Sequence, residues 1–398
     1  MTTTINKEQK NPNVPNLRFP EFEGEWQEKR LSDIADLSKG IGISKDQLSA
    51  DGEPCILYGE LYTKYKSETI KEVISKTNID NTKLVKSKAN DVIIPCSGET
   101  AEEIATARCV LKDDILLGGD LNIIRLHGYD GSFMSYQLNG KRKYDIAKVA
   151  QGVSVVHLYG EHLKNIKTIN PSLNEQKKIA NLLSLLDERI STQNKIIEDL
   201  KKLKCAIIET VYNGKGHEYR IGDIIDQVSQ RNKRCLVNTV LSVNNKLGFI
   251  NQDEQFEDRT VASEDTSNYK VVFKDDFAYN PARINVGSIA RLKSFDKGIV
   301  SPMYICFKVT DGIVPEYLES YFATNHFSKE MQKRLEGSVR LCLSFEGLCN
   351  IPIFVPCIDE QTEIGKRIYQ LENKIETECN ILSLYEKQKQ YLLRQMFI

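Results

Sequence analysis

The sequence of 398 residues lacks an excess of charge: 54 Lys and Arg against 55 Asp and Glu leave a formal net charge of −1. No chain-wide basic field attracts nucleic acid, so any phosphate attraction must come from local patches or from a partner. No apolar run reaches the ~18 residues that a membrane-spanning helix needs, which excludes such a span. The opening stretch, MTTTINKEQKNPNVPN, is polar, contains Pro12 and Pro15, and has no apolar core of a secretory signal. Residues 1–15 therefore read as a mobile tail on a cytoplasmic protein. The ten cysteines form no CxxC pair. A chain of this length needs no disulfide staple, so reduced, partly buried thiols are expected.

Catalytic constellations are also missing. There is no GxxxxGK[ST] phosphate loop and no HExxH. Cys342, Cys349 and Cys357 are too widely spaced for a zinc finger and read as core thiols. The five histidines do not cluster, although His157 and His162 are near neighbours, and they read as structural or surface residues. Tyr279-Asn280-Pro281-Ala282 partly resembles the Asn-Pro-Pro-aromatic loop of amino-methyltransferases. It lacks the second proline and the aromatic, and no glycine-rich cofactor loop precedes it. Asp91, Glu99 and Glu102 have no lysine placed among them and read as solvated carboxylates rather than a nuclease metal site. The expectation is a chain that catalyses nothing alone and binds no metal or cofactor itself.

What the sequence does have is a repeat. Glu175-Gln176 recurs as Glu360-Gln361, an offset of 185 (360 − 175). The same offset pairs Gly152 with Gly337, Leu158 with Leu343, Asn165-Ile166 with Asn350-Ile351, Pro171 with Pro356, Ile190 with Ile375, and Tyr212 with Phe397. The starts of the halves also match, Arg30 to Ile34 resembling Arg220 to Ile224. Each half reads as a globular module followed by a long helix. Two such modules about a two-fold axis suit the reading of two separated half-sites.

Within the modules, short β-like runs are punctuated by Gly and Asp: Cys55 to Tyr58, Asp91 to Pro95, Ile115 to Leu117 and Asn122 to Leu126, then Asn238 to Val243, Tyr269 to Phe273, Gly287 to Leu292 and Met303 to Val309. A short helix is expected at Leu31 to Leu37, and longer ones over Phe133 to Ala150 and Pro315 to Leu335. The fold class is α+β. The long helices carry apolar seams: Ile179, Leu183, Leu186, Ile190, Ile197, Leu200, Ile207 and Val211 in one, and Ile364, Ile368, Leu371, Ile375, Leu382, Tyr385, Leu392 and Met396 in the other. Polar residues interrupt them at matching positions, Gln193 and Lys204 against Glu378 and Lys389, which suggests a register device. Asn174 and Asp359 are expected N-caps, and Asn213-Gly214 an expected stop. Helices of roughly 37 residues span about 55 Å. Each needs a partner for its seam, and the simplest is its own repeat, antiparallel.

Base and phosphate contacts need polar, cationic and aromatic side chains on loops. The candidates in the first module are Lys39, Lys45, Tyr58, Lys64, Tyr65 and Arg142. In the second they are Arg231, Lys233, Arg234, Tyr279, Asn280, Arg283, Asn285, Ser288 and Arg291.

The layout resembles the specificity subunit of type I restriction-modification systems. The carrying motif is Gln151-Gly152, Leu163 to Ile166 and Pro171 to Ala180, with Pro-x-x-x-Glu-Gln-x-x-Ile at the entry to the helix. It recurs as Glu336-Gly337, Leu348 to Ile351 and Pro356 to Ile364. Leu17 to Pro20, Trp26 to Asp36, Leu57 to Tyr62 and Phe277 to Pro281 are also similar to the family. The second copy departs at Cys357 for Ser172 and Gly365 for Ala180. The resemblance implies two target-recognition domains, at 16–171 and 214–356, each binding half of an asymmetric, split site in double-stranded DNA. It implies spacer helices at 172–213 and 357–398, pairing as an antiparallel coiled coil. Two modification subunits would bring S-adenosylmethionine for adenine methylation, and two restriction subunits ATP-driven translocation and magnesium-dependent cleavage. The alternative is a bivalent coiled-coil adaptor whose modules bind proteins.

Overall fold

The computed structural model describes residues 13–80, 82–152, 155–212, 216–245, 247–252, 265–338 and 340–398. The expectations for residues 1–12 and for the stop at Asn213-Gly214 lie outside the described residues. The chain forms two compact units, Met1–Asn194 with Asn380–Ile398, and Lys195–Cys379. This division passes through both long helices, so it cuts across the linear domains expected from the sequence.

In the first unit, a five-stranded mixed sheet runs in the order Ala35–Lys39, Leu121–Leu126, Asp91–Pro95, Arg108–Val110 and Thr69–Ile70. Side chains alternate across a strand. Val92, Ile94 and Ile124 therefore enter one core and Ile93, Leu121 and Ile123 another, with a sheet face for each. A second five-stranded sheet contains Glu53–Ile56 and Leu116–Leu117. In the second unit, two four-stranded sheets hold Phe277–Tyr279 and Val240–Asn244. Their main core is aromatic, with Phe277, Tyr279, Phe307, Tyr317 and Tyr321.

The helical stretch expected over Phe133 to Ala150 is two helices, Gly131–Asn139 and Lys143–Val149, with Gly140 closing the first. Pro315 to Leu335 likewise divides into Pro315–Tyr321 and Asn325–Gln332, because Thr324 caps the second by accepting from the Phe327 N–H at 3.0 Å. All ten cysteines are free. Burial pushes the thiols of Cys55 and Cys96 up to about 11 and those of Cys109 and Cys306 up to about 12. They pack as small apolar side chains.

The long helices span Leu173–Val211 and Ile358–Gln395. Asn174 and Asp359 are not their N-caps: both lie inside the first turn. Each helix starts one residue before them, and Ser172 Oγ accepts from the Glu175 N–H at 3.4 Å. The repeated Gln of each copy has a mechanical role. Gln176 donates to the Pro171 carbonyl at 2.8 Å and accepts from the Asp130 N–H at 2.9 Å. Gln361 donates to the Pro356 carbonyl at 2.9 Å and accepts from the Val314 N–H at 2.9 Å. One buried amide thus ties each long helix to the start of a module helix and satisfies backbone groups that burial would otherwise strand.

Within the first unit, Ile179, Ala180 and Leu183 pack with Met396 and Phe397, and Asp187 pairs with Lys389 at 2.6 Å. The start of the central helix thus lies along the end of the C-terminal helix, antiparallel. Within the second unit, Lys204 pairs with Glu372 at 2.6 Å, and Tyr212 and Ile364 join one core. That pairing is antiparallel too. Asp187 corresponds to Glu372 and Lys204 to Lys389 under the 185-residue offset, so the two ion pairs are images of one another. Among the described residues no helix is long and apolar enough to cross a membrane.

Candidate nucleic-acid interface

The repeated Gly and Leu of the sequence motif build the same loop edge in each module. Gln151 bridges His157, and Glu336 bridges Cys342, closing two short hairpins. Gly152 and Gly337 turn them at φ of 123° and 115°. A Cβ there would sit 2.1 Å from the Val155 carbonyl oxygen and 2.4 Å from that of Arg340, so only glycine fits. Leu158 and Leu343, both fully buried, anchor the hairpins. Their N–H groups donate to the Cys96 and Pro281 carbonyls at 2.8 and 3.1 Å, stitching each hairpin to the loop after a central strand.

Between those anchors the two copies differ. The first module exposes Val155 and His157 there, and Tyr159 just beyond Leu158. Lys39, exposed at the end of its strand, sits 5.7 Å from the Tyr159 ring centroid. Lys45 is exposed at the start of the neighbouring turn Lys45–Gln47. The second module exposes Arg340 and Leu341 on its hairpin and Arg283, Asn285 and Val286 on the stitched loop. Exposed cationic, amide and aromatic groups on rigidly anchored loops are the chemistry of phosphate and base-edge contact. Arg231, Lys233 and Arg234 are exposed on another loop, where Arg231 donates to the Asn268 carbonyl at 2.7 Å.

Several candidates have other work. Tyr65 and Tyr279 are buried, Tyr65 accepting from the Ile74 N–H and Tyr279 donating to the Leu343 carbonyl. Asn280 is buried and caps the loop by accepting from the Ala282 N–H at 3.1 Å, and Ser288 donates to the Val243 carbonyl at 3.2 Å. Arg291 is buried among Asp275, Glu316 and Glu319. Burial works against its charge, but the carboxylates outweigh it and keep the guanidinium raised. Arg142 donates to the Ile398 carbonyl oxygen at 3.3 Å. Each of these six side chains makes a contact within the fold. Lys64 pairs with Glu60 at 2.6 Å, and Tyr58 is half-buried against a core cluster. Val155, Tyr159, Arg340 and Leu341 escaped the sequence reading. For Val155, Arg340 and Leu341 the signal was the stretch where the copies diverge between the shared Gly and Leu; Tyr159 lies one residue beyond it.

A buried polar cluster fastens the first module to its helices. Asp187 accepts from Tyr136 Oη at 2.7 Å and Ser67 Oγ at 2.9 Å, and Lys389 bridges Asp187 and Glu68. Burial raises the Glu68 carboxyl despite Lys389, while the two carboxylates hold Lys389 raised against its own burial. The seam residues Ile179, Leu183, Leu186 and Ile197 are buried, as is Ile368, while Ile190, Leu200, Ile364, Leu371, Ile375, Leu382 and Tyr385 are half-buried.

Comparison with known proteins agrees with this architecture. The profile of the family described as "Type I restriction modification DNA specificity domain" matches residues 23–202 and again 215–384. A relative from Methanocaldococcus jannaschii, described as the type I restriction enzyme MjaVIII specificity subunit, is 24% identical over 422 residues, spanning 97% of this chain and 95% of that one. The crystal structure of a type I restriction-modification S subunit from M. genitalium shares the fold at a TM-score of 0.61 and 18% identity, covering 97% of this chain and 99% of that one. A chain from a structure concerned with complex assembly in the type I restriction-modification system gives a TM-score of 0.54 at 14% identity, covering 94% and 97%. With the family's domain matched twice over most of its length, the chain belongs to the type I restriction-modification specificity subunits.

Proposed function

We propose that each module reads one half of an asymmetric, gapped sequence in double-stranded DNA. The observation that carries this is the twice-built loop edge, with the same Gly and Leu anchors and different exposed side chains between them. Identical frames with different contacts call for unlike half-sites. Methylation of adenine with S-adenosylmethionine, and ATP- and magnesium-dependent cleavage, then belong to two modification and two restriction subunits. The docking of modification subunits on the helices is supported by apolar side chains left exposed there, Leu185, Leu384 and Tyr391 in the first unit and Leu203 and Tyr369 in the second. Their DNA contacts would supplement a specificity chain whose net charge is −1.

Arg283→Ala tests the assignment. In a reconstituted modification complex it is expected to relax one half-site by about 1–3 kcal/mol of base discrimination and to leave the other half-site unchanged. Equal weakening on every sequence would make Arg283 a phosphate contact. No change in DNA binding would remove this loop from the interface.

A further inference from the structure

The loops stitched to the two hairpins start at equivalent residues, Cys96 and Pro281, which are 185 positions apart (281 − 96). From there they part in charge. The second loop exposes Arg283 and Asn285, whereas the first exposes Glu99, Thr100 and Glu102. Thr100 has local work: its hydroxyl caps the helix Ala101–Ile104 by accepting from the Glu103 N–H at 3.2 Å. Glu99 has no hydrogen bond or ion pair among the described residues.

The hairpin fixes where Glu99 stands. Ser97 pairs with His157 and Gly98 with Val156, so Glu99 leaves the paired edge beside the exposed Val155 and His157. Tyr62, half-buried, lies near it: burial raises the Tyr62 hydroxyl, and Tyr58, Glu103 and Glu99 add to that rise. Glu103 has one carboxylate oxygen buried and without a donor among the described residues. This corner of the edge is therefore electron-rich, where the second module's loop is cationic.

A carboxylate on a surface that faces phosphates costs affinity unless it meets a donor. In the major groove the base edges offer donors only at cytosine N4 and adenine N6. We propose that Glu99 determines specificity in the first module by accepting a hydrogen bond from the exocyclic amino group of a cytosine or adenine. Arg283, on the corresponding loop, suits the acceptors of guanine, O6 and N7. Opposite charges on one repeated frame thus select opposite base edges, which gives unlike half-sites a chemical ground. A merely solvated Glu99 makes the contrary prediction, because its removal would strengthen binding to every sequence alike. The inference rests on the reading above, that each module contacts DNA, and assigns the chemistry of one contact.

The test uses the reconstituted complex of this chain with its modification subunits and duplexes carrying the motif that methylome sequencing yields. Anisotropy gives affinities for cognate and unrelated duplexes, with Glu102→Ala as a control on the same stretch. Glu99→Ala is expected to weaken cognate binding about tenfold, without weakening binding to unrelated DNA. Glu99→Gln, which keeps an acceptor, should recover part of the loss. The loss should fall on one position of the half-site that Arg283→Ala spares. In wild type, an analogue lacking the amino group at that position should cost the same, and should cost Glu99→Ala nothing further. The analogues, 2-pyrimidinone for cytosine and unsubstituted purine for adenine, tell the two bases apart. Stronger binding to every duplex, an equal loss in Glu102→Ala, or additive losses overturn the proposal. Sensitivity only to hypoxanthine in place of guanine would put the contact in the minor groove and overturn it too. So would weaker docking of the modification subunits in Glu99→Ala, which would make Glu99 a protein contact. A wild-type complex that prefers no sequence overturns the half-site reading itself; preference kept in wild type and unchanged in Glu99→Ala overturns this inference alone.

Discussion

At the residue scale, the identities that matter most are those whose neighbours leave no alternative. Glu175 is 1% exposed and depends on Arg18. Arg18→Ala strands a buried carboxylate, and breaking such a pair costs about 3 kcal/mol or more. A matching fall in the urea midpoint of the first unit is expected, with Arg18→Lys recovering part of it because an ammonium cannot fork. Gly365 stands where the first copy has Ala180. A Cβ at Gly365 would meet Glu316 Cβ at 2.8 Å, so the glycine lets a module helix approach closely. Gly365→Ala is therefore expected to destabilise by about 1–3 kcal/mol through overpacking, although alanine is the better helix former. Thermal unfolding distinguishes the two effects by sign. At this scale the sequence was least informative. Tyr279 and Ser288 sit in a stretch of mixed donors that reads as a loop, yet their side chains turn inward, and nothing local in a sequence says which way a loop residue points.

At the element scale, the long helices were the most legible part, because apolar residues every three or four positions over ten turns admit one structure. Their polar breaks were legible too, and the structure gives them a task. Lys204 and Lys389 stand in the seams, and each meets the acidic partner that the repeat supplies. Lys204→Glu is expected to loosen the second unit, and its combination with Glu372→Lys to recover stability, as a double-mutant cycle measures. Burial alone would raise the Glu372 carboxyl, but Lys204 and Lys293 hold it below the usual range. A lowered carboxylate contributes stability above its unfolded value, near 4.5, and loses it as pH falls through the lowered folded value. Lys389, held raised, contributes below its unfolded value near 10.5 and loses that contribution as pH climbs through the folded one. Urea midpoints across pH should therefore fall at the acid end in wild type, and less so in Glu372→Gln. The short module helices were less legible. Gly140 and the capping Thr324 each divide what reads as one amphipathic stretch, since a break of two or three residues barely disturbs the apolar period.

At the scale of the whole molecule, the duplication was legible because motif residues recur at a constant offset, and it led directly to two modules with two long helices. The compact units were not legible. Each collects a module, half of one helix and half of the other, and contacts such as Lys389 with Glu68, 321 positions apart, leave no local trace. If the helices set the separation of the half-sites, lengthening the central helix between Gln176 and Tyr212 by a whole number of turns should change the gap in the target and spare both half-sites. Changed half-sites in such a variant would contradict that role. The central claim, one chain reading two unlike half-sites for partners that modify them, is tested most directly by methylome sequencing of DNA modified by this chain with its cognate modification subunit. The account predicts one asymmetric, gapped motif with methyladenine in both halves. A continuous or palindromic motif, or a stable complex that leaves DNA unmethylated, would contradict it.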